Sequence, residues 1–330
     1  MTPEPVADAI AREMSARNVP GVSVATVEDG ALAWADAYGV RAVDGEPTTV
    51  DTVFEAASIS KPVFAWWVLG LCERGVLDLD APLSRYTTDR VVLDHGADVI
   101  TARMVLSHTS ALSWEFTGRG DEGRLSLSGT PGAVFRYSNA GFECLRALVR
   151  QLTGQPTRDE LHRFMSELAM TRSSYAWDAS FEDDYASPHD LEGNVCEKEK
   201  SGRLKYVSAE LHSTAPDLAA FLCELVRPDQ PPTHAEALKP HVDVHQGFLK
   251  GAPGPGAHWG LGIGVWLVDG RTTVWHWGEN PGFQSILIAW PDERRGIVVL
   301  TNSDHGHWVS RAAVQAFAGL DHPAFRWIEN

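Results

Sequence analysis

The chain is 330 residues long and carries a formal charge of −16, from 28 Lys and Arg against 44 Asp and Glu. So acidic a surface repels nucleic acid and anionic lipid, which removes both as partners. The length allows one large or two fused domains, and 44% hydrophobic with 22% charged residues is an ordinary globular composition.

The N-terminus has no basic stretch followed by an apolar one. It reads as an amphipathic helix, about Pro5 to Arg17, that breaks at Asn18-Val19-Pro20-Gly21. Two β-like runs follow, Gly21–Glu28 and Ala31–Gly39, joined by the hairpin signal Asp29-Gly30. After a polar loop comes Phe54-Glu-Ala-Ala-Ser-Ile-Ser-Lys-Pro and then an apolar helix through Leu71. The middle, about Asp78 to Gly202, reads mainly as helix and loop, most clearly helical over Ala140–Leu152 and Arg158–Leu168. Strand character returns in Gly260–Val268, Thr272–His276, Phe283–Trp290 and Gly296–Thr301, punctuated by Asp269-Gly270 and Pro291-Asp292 as in an antiparallel meander. Gly251-Ala-Pro-Gly-Pro-Gly reads as a surface loop, and a helix over about Val309–Ala318 closes the chain.

Strands at both ends with helices between them predict an α+β fold, an α/β-α sandwich. One antiparallel sheet is expected from residues 1–57 and 205–330, with flanking helices. A mainly helical region, 58–204, is inserted, and the active site is expected in the cleft between the two. The cysteines Cys72, Cys144, Cys196 and Cys223 form no CxxC pair, and three of them sit in apolar runs as small hydrophobes. No run reaches the roughly 18 apolar residues that cross a bilayer, so a cytoplasmic protein with reduced thiols is expected, with no membrane partner.

The chemistry starts at Ser58-Ile59-Ser60-Lys61. A serine attacks well only when a base removes its proton, and three-residue spacing puts serine and lysine on one helix face. Burial or a neighbouring positive charge would lower the lysine pKa enough for that role. The helix start also favours an alkoxide and a developing oxyanion, and Pro62 is tolerated in the first turn. The pair alone also fits a plain N-cap serine. Two further elements alter the balance. In Arg136-Tyr137-Ser138-Asn139-Ala140-Gly141 a tyrosine can relay a proton, and the Asn139 amide can fix the lysine and a substrate carbonyl. In His276-Trp277-Gly278, ahead of Glu279-Asn280-Pro281-Gly282, the histidine offers a hydrogen bond or a positive charge, and Gly278 lets a substrate backbone approach.

Ser-x-x-Lys, Tyr-x-Asn and His-x-Gly in this order resemble the class C β-lactamase-like serine hydrolases, the CubicO-type group of penicillin-binding-protein-like esterases, D-amino-acid peptidases and amidases. Val105-Leu-Ser-His-Thr-Ser110 looks like that family's Leu-Leu-Ser-His-Thr-Ser-Gly segment. Ser213-Thr-Ala-Pro-Asp-Leu218 resembles its Ser-Thr-Ala-x-Asp-Leu helix start, and His258-Trp-Gly-Leu-Gly262 its Tyr-Gly-Leu-Gly strand, so the resemblance runs from about Gly21 to Ser303. It implies a β-lactamase/penicillin-binding-protein-like fold with Ser58 as nucleophile and Lys61 as its activating partner. Tyr137 would be general base and then acid, Asn139 a substrate holder, and His276 the replacement for the third-motif lysine. The backbone N–H groups of Ser58 and Glu279 would form the oxyanion hole. Whether Lys61 or Tyr137 is the base stays open.

Three departures stand out. Ala111 replaces the usual glycine after His-Thr-Ser, which is expected to shift that loop. Glu279 is a large anion where small residues are common: facing the cleft it would favour a cationic group such as a free amine, facing solvent it would do nothing. No counterpart of the class A general-base glutamate is found, so β-lactam turnover is expected to be weak at most.

Twelve tryptophans are many, and Trp114, Trp259 and Trp277 flank the motifs, so at least one is expected to line the acyl-binding cleft. His108 is not read as part of a Ser-His-Asp triad, because no Gly-x-Ser-x-Gly elbow exists. The pairs His241/His245 and His305/His307 lack a zinc-protease glutamate, so neither metal nor cofactor is expected. The expected activity is hydrolysis of a small ester or amide through an acyl-enzyme. Acyl transfer from the same serine and non-catalytic ligand binding are the alternatives. The partner is a small molecule; oligomeric state is not encoded legibly, and a monomer is the expectation.

Overall fold

The computed structural model describes residues 4–42, 45–87, 97–112, 127–198, 200–244, 255–268 and 270–328. Trp114, His245, Asp269 and residues 251–254 of the proline- and glycine-rich stretch lie outside them. The first half comprises α1 (Glu4–Arg17), β1 (Gly21–Glu28), β2 (Ala31–Gly39), β3 (Phe54–Ala57), α2 (Ser60–Glu73), α3 (Ala102–Leu106), α4 (Asn139–Thr153) and α5 (Thr157–Glu167). The second comprises β4 (Leu211–Ser213), α6 (Ala215–Leu225), α7 (Pro232–Ala237), β5 (Val242–Asp243), β6 (Ala257–Trp259), β7 (Gly264–Val268), β8 (Arg271–Asn280), β9 (Phe283–Trp290), β10 (Arg295–Thr301), α8 (Gly306–Ala318) and α9 (Phe325–Ile328).

Among the described residues, eight strands form one antiparallel sheet in the order β2-β1-β10-β9-β8-β7-β6-β5. The two ends of the chain meet inside it, β1 pairing with β10 from Val22↔Thr301 to Val27↔Gly296. The α+β fold with a large antiparallel sheet is thus the one the strand pattern predicts. Both faces of the sheet are covered, so β9 is buried along its whole length yet sends alternate residues to opposite cores. Phe283, Leu287 and Ala289 join the core that contains α2 and α6, whereas Ile286, Ile288 and Trp290 join the core beneath α1 and α8. β2, at the edge, stays half exposed.

The apolar run after Ser58 becomes a core helix, with every residue of α2 from Ser60 to Leu69 buried. A helix this apolar around its circumference is one that the core encloses on every side. Of the expected strand Gly260–Val268 only Gly264–Val268 is strand, and residues 260–263 form the turn that joins it to β6. Gly260 N–H donates to Ile263 O at 2.9 Å to close that turn, and Gly262 N–H donates to Leu106 O at 2.8 Å. Gly262 takes φ +83°, and a Cβ there would lie 2.2 Å from Ala65 Cβ on α2, so the turn rests directly on the core helix. Three capping serine or threonine side chains start helices as their sequences suggest: Thr101 for α3, Ser138 for α4 and Thr214 for α6. No helix among the described residues is long and apolar enough to cross a membrane.

Candidate active site

Ser58 sits in the turn between β3 and α2, half-buried, directly after Ala57 at φ +49°. A left-handed alanine is strained, and it persists because its neighbours fix it. Ser60 Oγ donates to Ala57 O and accepts from Leu211 N–H at 2.9 Å, tying the turn to β4. The helix N-cap is Ile59, with no side-chain cap, so Ser58 is not spent on capping. Its hydroxyl lies 2.9 Å from Lys61 Nζ.

Lys61 is fully buried. Its Nζ donates to Ser208 O at 2.8 Å and lies 4.8 Å from the Tyr137 ring centre. Burial pushes its pKa down to about 7, against an opposing pull from Glu143. Glu143 on α4 is itself only 2% exposed; it accepts from Ser208 N–H at 3.0 Å and pairs with Arg146 at 2.8 Å. It therefore holds the loop whose carbonyl receives Lys61. The sequence reading missed it, although a carboxylate inside the short apolar run Phe142-Glu143-Cys144-Leu145 was a visible signal.

Tyr137 precedes α4 and is 5% exposed; its hydroxyl bonds to the Ser58 side chain and lies 3.5 Å from His276 Nε2. Burial raises the phenol pKa far above its usual value, so it is protonated at any ordinary pH. His108 positions it, stacking on the Tyr137 ring at 4.3 Å while its Nδ1 accepts from Ser138 N–H at 3.0 Å. His108 is buried with its pKa well below the usual value, first through burial and then through Lys61, so it serves as a neutral support. It takes φ +56° and Ala111 φ +58°, which accounts for the glycine of related segments at the second position: here alanine adopts the left-handed conformation itself.

His276 on β8 is fully buried, and its Nδ1–H donates to Trp277 O at 2.7 Å, leaving Nε2 as an acceptor toward Tyr137. Burial, then Lys61, lowers its pKa to about 3. Of the two roles expected for it, the hydrogen bond is available and the positive charge is not. Gly278 also differs from expectation. A Cβ there would lie 2.1 Å from Ala56 O and 2.2 Å from Ser285 Oγ, so the glycine admits the protein's own strand β3 rather than a substrate.

A cavity of about 620 Å³ opens beside these groups, with Ser58, Tyr137, Asn139, Trp277, Glu279 and Asp304 among its lining residues. Asn139 Oδ1 is buried without a hydrogen-bond partner. Of the three tryptophans, Trp277 lines the cavity. Trp259 does not: it is fully buried, packed against Phe135, His108 and Tyr137, where it buttresses the tyrosine from behind. Glu279 is exposed and lines the cavity rim. Glu55 on β3 accepts from Asn280 Nδ2 at 2.7 Å, from Lys198 Nζ at 3.0 Å and from Tyr185 at 3.0 Å, pinning the end of β8 that carries Glu279. Among the described residues no group of three His, Cys, Asp or Glu could hold a metal ion. His241 Nε2 instead donates to the backbone carbonyl of Glu236 at 3.1 Å, and His305 Nε2 donates to Leu191 O.

A family model described as Beta-lactamase matches residues 6–320. Protein flp of Staphylococcus aureus (strain NCTC 8325 / PS 47) is 24% identical over 321 residues, covering 89% of this chain and 61% of that protein. The chain thus spans about three-fifths of the length of this curated relative. Esterase EstB of Burkholderia gladioli is 33% identical over 168 residues, 42% of this chain and 43% of the esterase. Among solved structures, the octameric penicillin-binding protein homologue from Pyrococcus abyssi superposes with a TM-score of 0.83 at 23% identity, over 99% of this chain and 79% of that one.

Proposed function

The chain belongs to the beta-lactamase family, and we propose that it is a serine hydrolase acting through an acyl-enzyme on a small ester or amide. The observation that carries this reading is a fully buried Lys61, with a pKa near 7, 2.9 Å from the hydroxyl of Ser58 at the wall of an open cavity. Near neutral pH a sizeable fraction of that amine is unprotonated and can accept the serine proton.

In this mechanism Ser58 Oγ adds to the substrate carbonyl while its proton passes to Lys61 Nζ. The backbone N–H groups of Ser58 and Glu279 receive the oxyanion, and Asn139 Nδ2 and Oδ1 hold the acyl portion. As the carbon–heteroatom bond breaks, the Tyr137 hydroxyl gives its proton to the leaving oxygen or nitrogen and is reprotonated from Lys61. Water then repeats the steps in reverse, releasing the acid and restoring Ser58. Neutral His276 accepts from Tyr137 and orients it, in the place where the motif elsewhere has a lysine. The sheet region of residues 1–57 and 205–330 and the helical region of residues 58–204 act as the two sides of the cleft.

A fluorophosphonate probe tests the assignment. Mass spectrometry is expected to find a single adduct on Ser58, lost in Ser58→Ala, with hydrolysis of p-nitrophenyl esters lost in parallel. No adduct, or labelling unchanged in Ser58→Ala, overturns it.

A further inference from the structure

The cavity has a second polar face where β8 turns into β9. Glu279 and Gln284 are direct cross-strand partners, so their side chains leave the same face of the sheet about 5 Å apart. Gln284 is only 8% exposed, and its Oε1 accepts from His307 N–H at 2.7 Å. Only an oxygen can accept there, so the amide orientation is fixed and Nε2 is the atom left to face the cavity. Among the described residues that nitrogen has no partner. Asp304 lines the same end, with Oδ1 accepting from Gly282 N–H at 2.7 Å and its other oxygen free of any described donor.

No lysine or arginine is among the described lining residues. Lys61 is buried behind Ser58, and Lys198, the cation that acts on Asp304, is engaged with Glu55 at 3.0 Å. A substrate carboxylate in this cavity would meet two carboxylates and, among the described lining residues, no cation.

We propose that Asp304, Gln284 and Glu279 form a subsite for a primary ammonium group on the ester or amide substrate. Asp304 and Glu279 receive the ammonium, and Gln284 Nε2 donates to a carbonyl or hydroxyl oxygen beside it. The substrate class is therefore amine-bearing esters and amides, and anionic ones are rejected. This inference rests on the acyl-enzyme reading of Ser58.

Three alkylboronic acids of equal length, ending in ammonium, methyl or carboxylate, test it, because each forms a reversible adduct with a reactive serine. On the wild-type protein the ammonium compound is expected to inhibit about tenfold more tightly than the methyl one, and the carboxylate compound about tenfold more weakly, the scale of one partly screened charge contact. Asp304→Asn keeps an acceptor for Gly282 N–H and should bring the ammonium-to-methyl ratio toward unity. Glu279→Gln, at an exposed position, should lower the same ratio about threefold. Equal inhibition by the three compounds, or a ratio unchanged in both variants, overturns the subsite and leaves the serine assignment standing. Inhibition by none of them, with no fluorophosphonate adduct, overturns the serine assignment and the subsite with it.

Discussion

The two walls of the cavity differ in how they treat polar atoms. On the wall made by α2, the residues ahead of α4 and the middle of β8, Lys61, Tyr137 and His276 are buried and linked through Ser58: Lys61 Nζ to Ser58 at 2.9 Å, Ser58 to the Tyr137 hydroxyl, and Tyr137 to His276 at 3.5 Å. At the β8–β9 turn, Glu279 is exposed, and Gln284 and Asp304 each keep an atom with no described partner. Burial sets protonation states on the first wall, bringing Lys61 to about 7 and His276 to about 3. On the second wall Glu279 is exposed and Asp304 only half-buried, so a ligand can reach both carboxylates. Proton transfer needs the first arrangement, and selection among substrates needs the second.

Removing a proton carrier from the buried wall is the strongest way to break this contrast. Lys61→Ala and Tyr137→Phe should each lower kcat about 10²-fold or more on any ester the protein hydrolyses, the scale of general acid–base catalysis. Wild-type turnover in either would take that residue out of the mechanism. Separating Lys61 from Tyr137 as the base requires a pH profile. Below about 7 Lys61 holds its proton and has no lone pair to offer, so kcat/KM should fall as pH drops through that value, while the phenol stays protonated throughout. Glu143→Gln keeps the acceptor for Ser208 N–H but removes the charge that raises the Lys61 pKa. The acidic limb should then move to lower pH, raising kcat/KM at pH 6 about threefold. A limb that stays in place would assign it to another group.

The smallest effect tests the frame. Ala111→Gly relieves a residue at φ +58° and should stabilise the protein by about 0.5–1 kcal/mol in chemical denaturation, after the entropy cost of glycine. A loss of stability instead would mean that the methyl group packing of this buried alanine dominates.

What the sequence revealed follows the same division. The strands of the meander and the helices around the motifs were legible because period and punctuation are local properties: Phe283–Trp290 was read with its observed bounds. Ser58 and Lys61 were legible because a single turn brings them together. Asp304 and Gln284 were not, because their relation to Glu279 exists only once β9 and the segment after β10 lie beside β8. Gly278 was visible, but its reason was not: the carbonyl that forbids a side chain there belongs to Ala56, far away in sequence. The charge of His276 was equally hidden, since it depends on complete burial beside Lys61.

The pairing of β1 with β10 has a consequence for how the protein matures. Its contacts join residues near opposite ends of the chain, and loops that long close late and slowly. Leu287, Val298 and Leu300 from β9 and β10 belong to the same core as Val63 and Phe64 of α2. Until those strands dock, the dry surroundings of α2 do not exist, and Lys61 remains an ordinary solvated ammonium. On the mechanism proposed above, then, Ser58 gains its reactivity only once β9 and β10 have docked against α2.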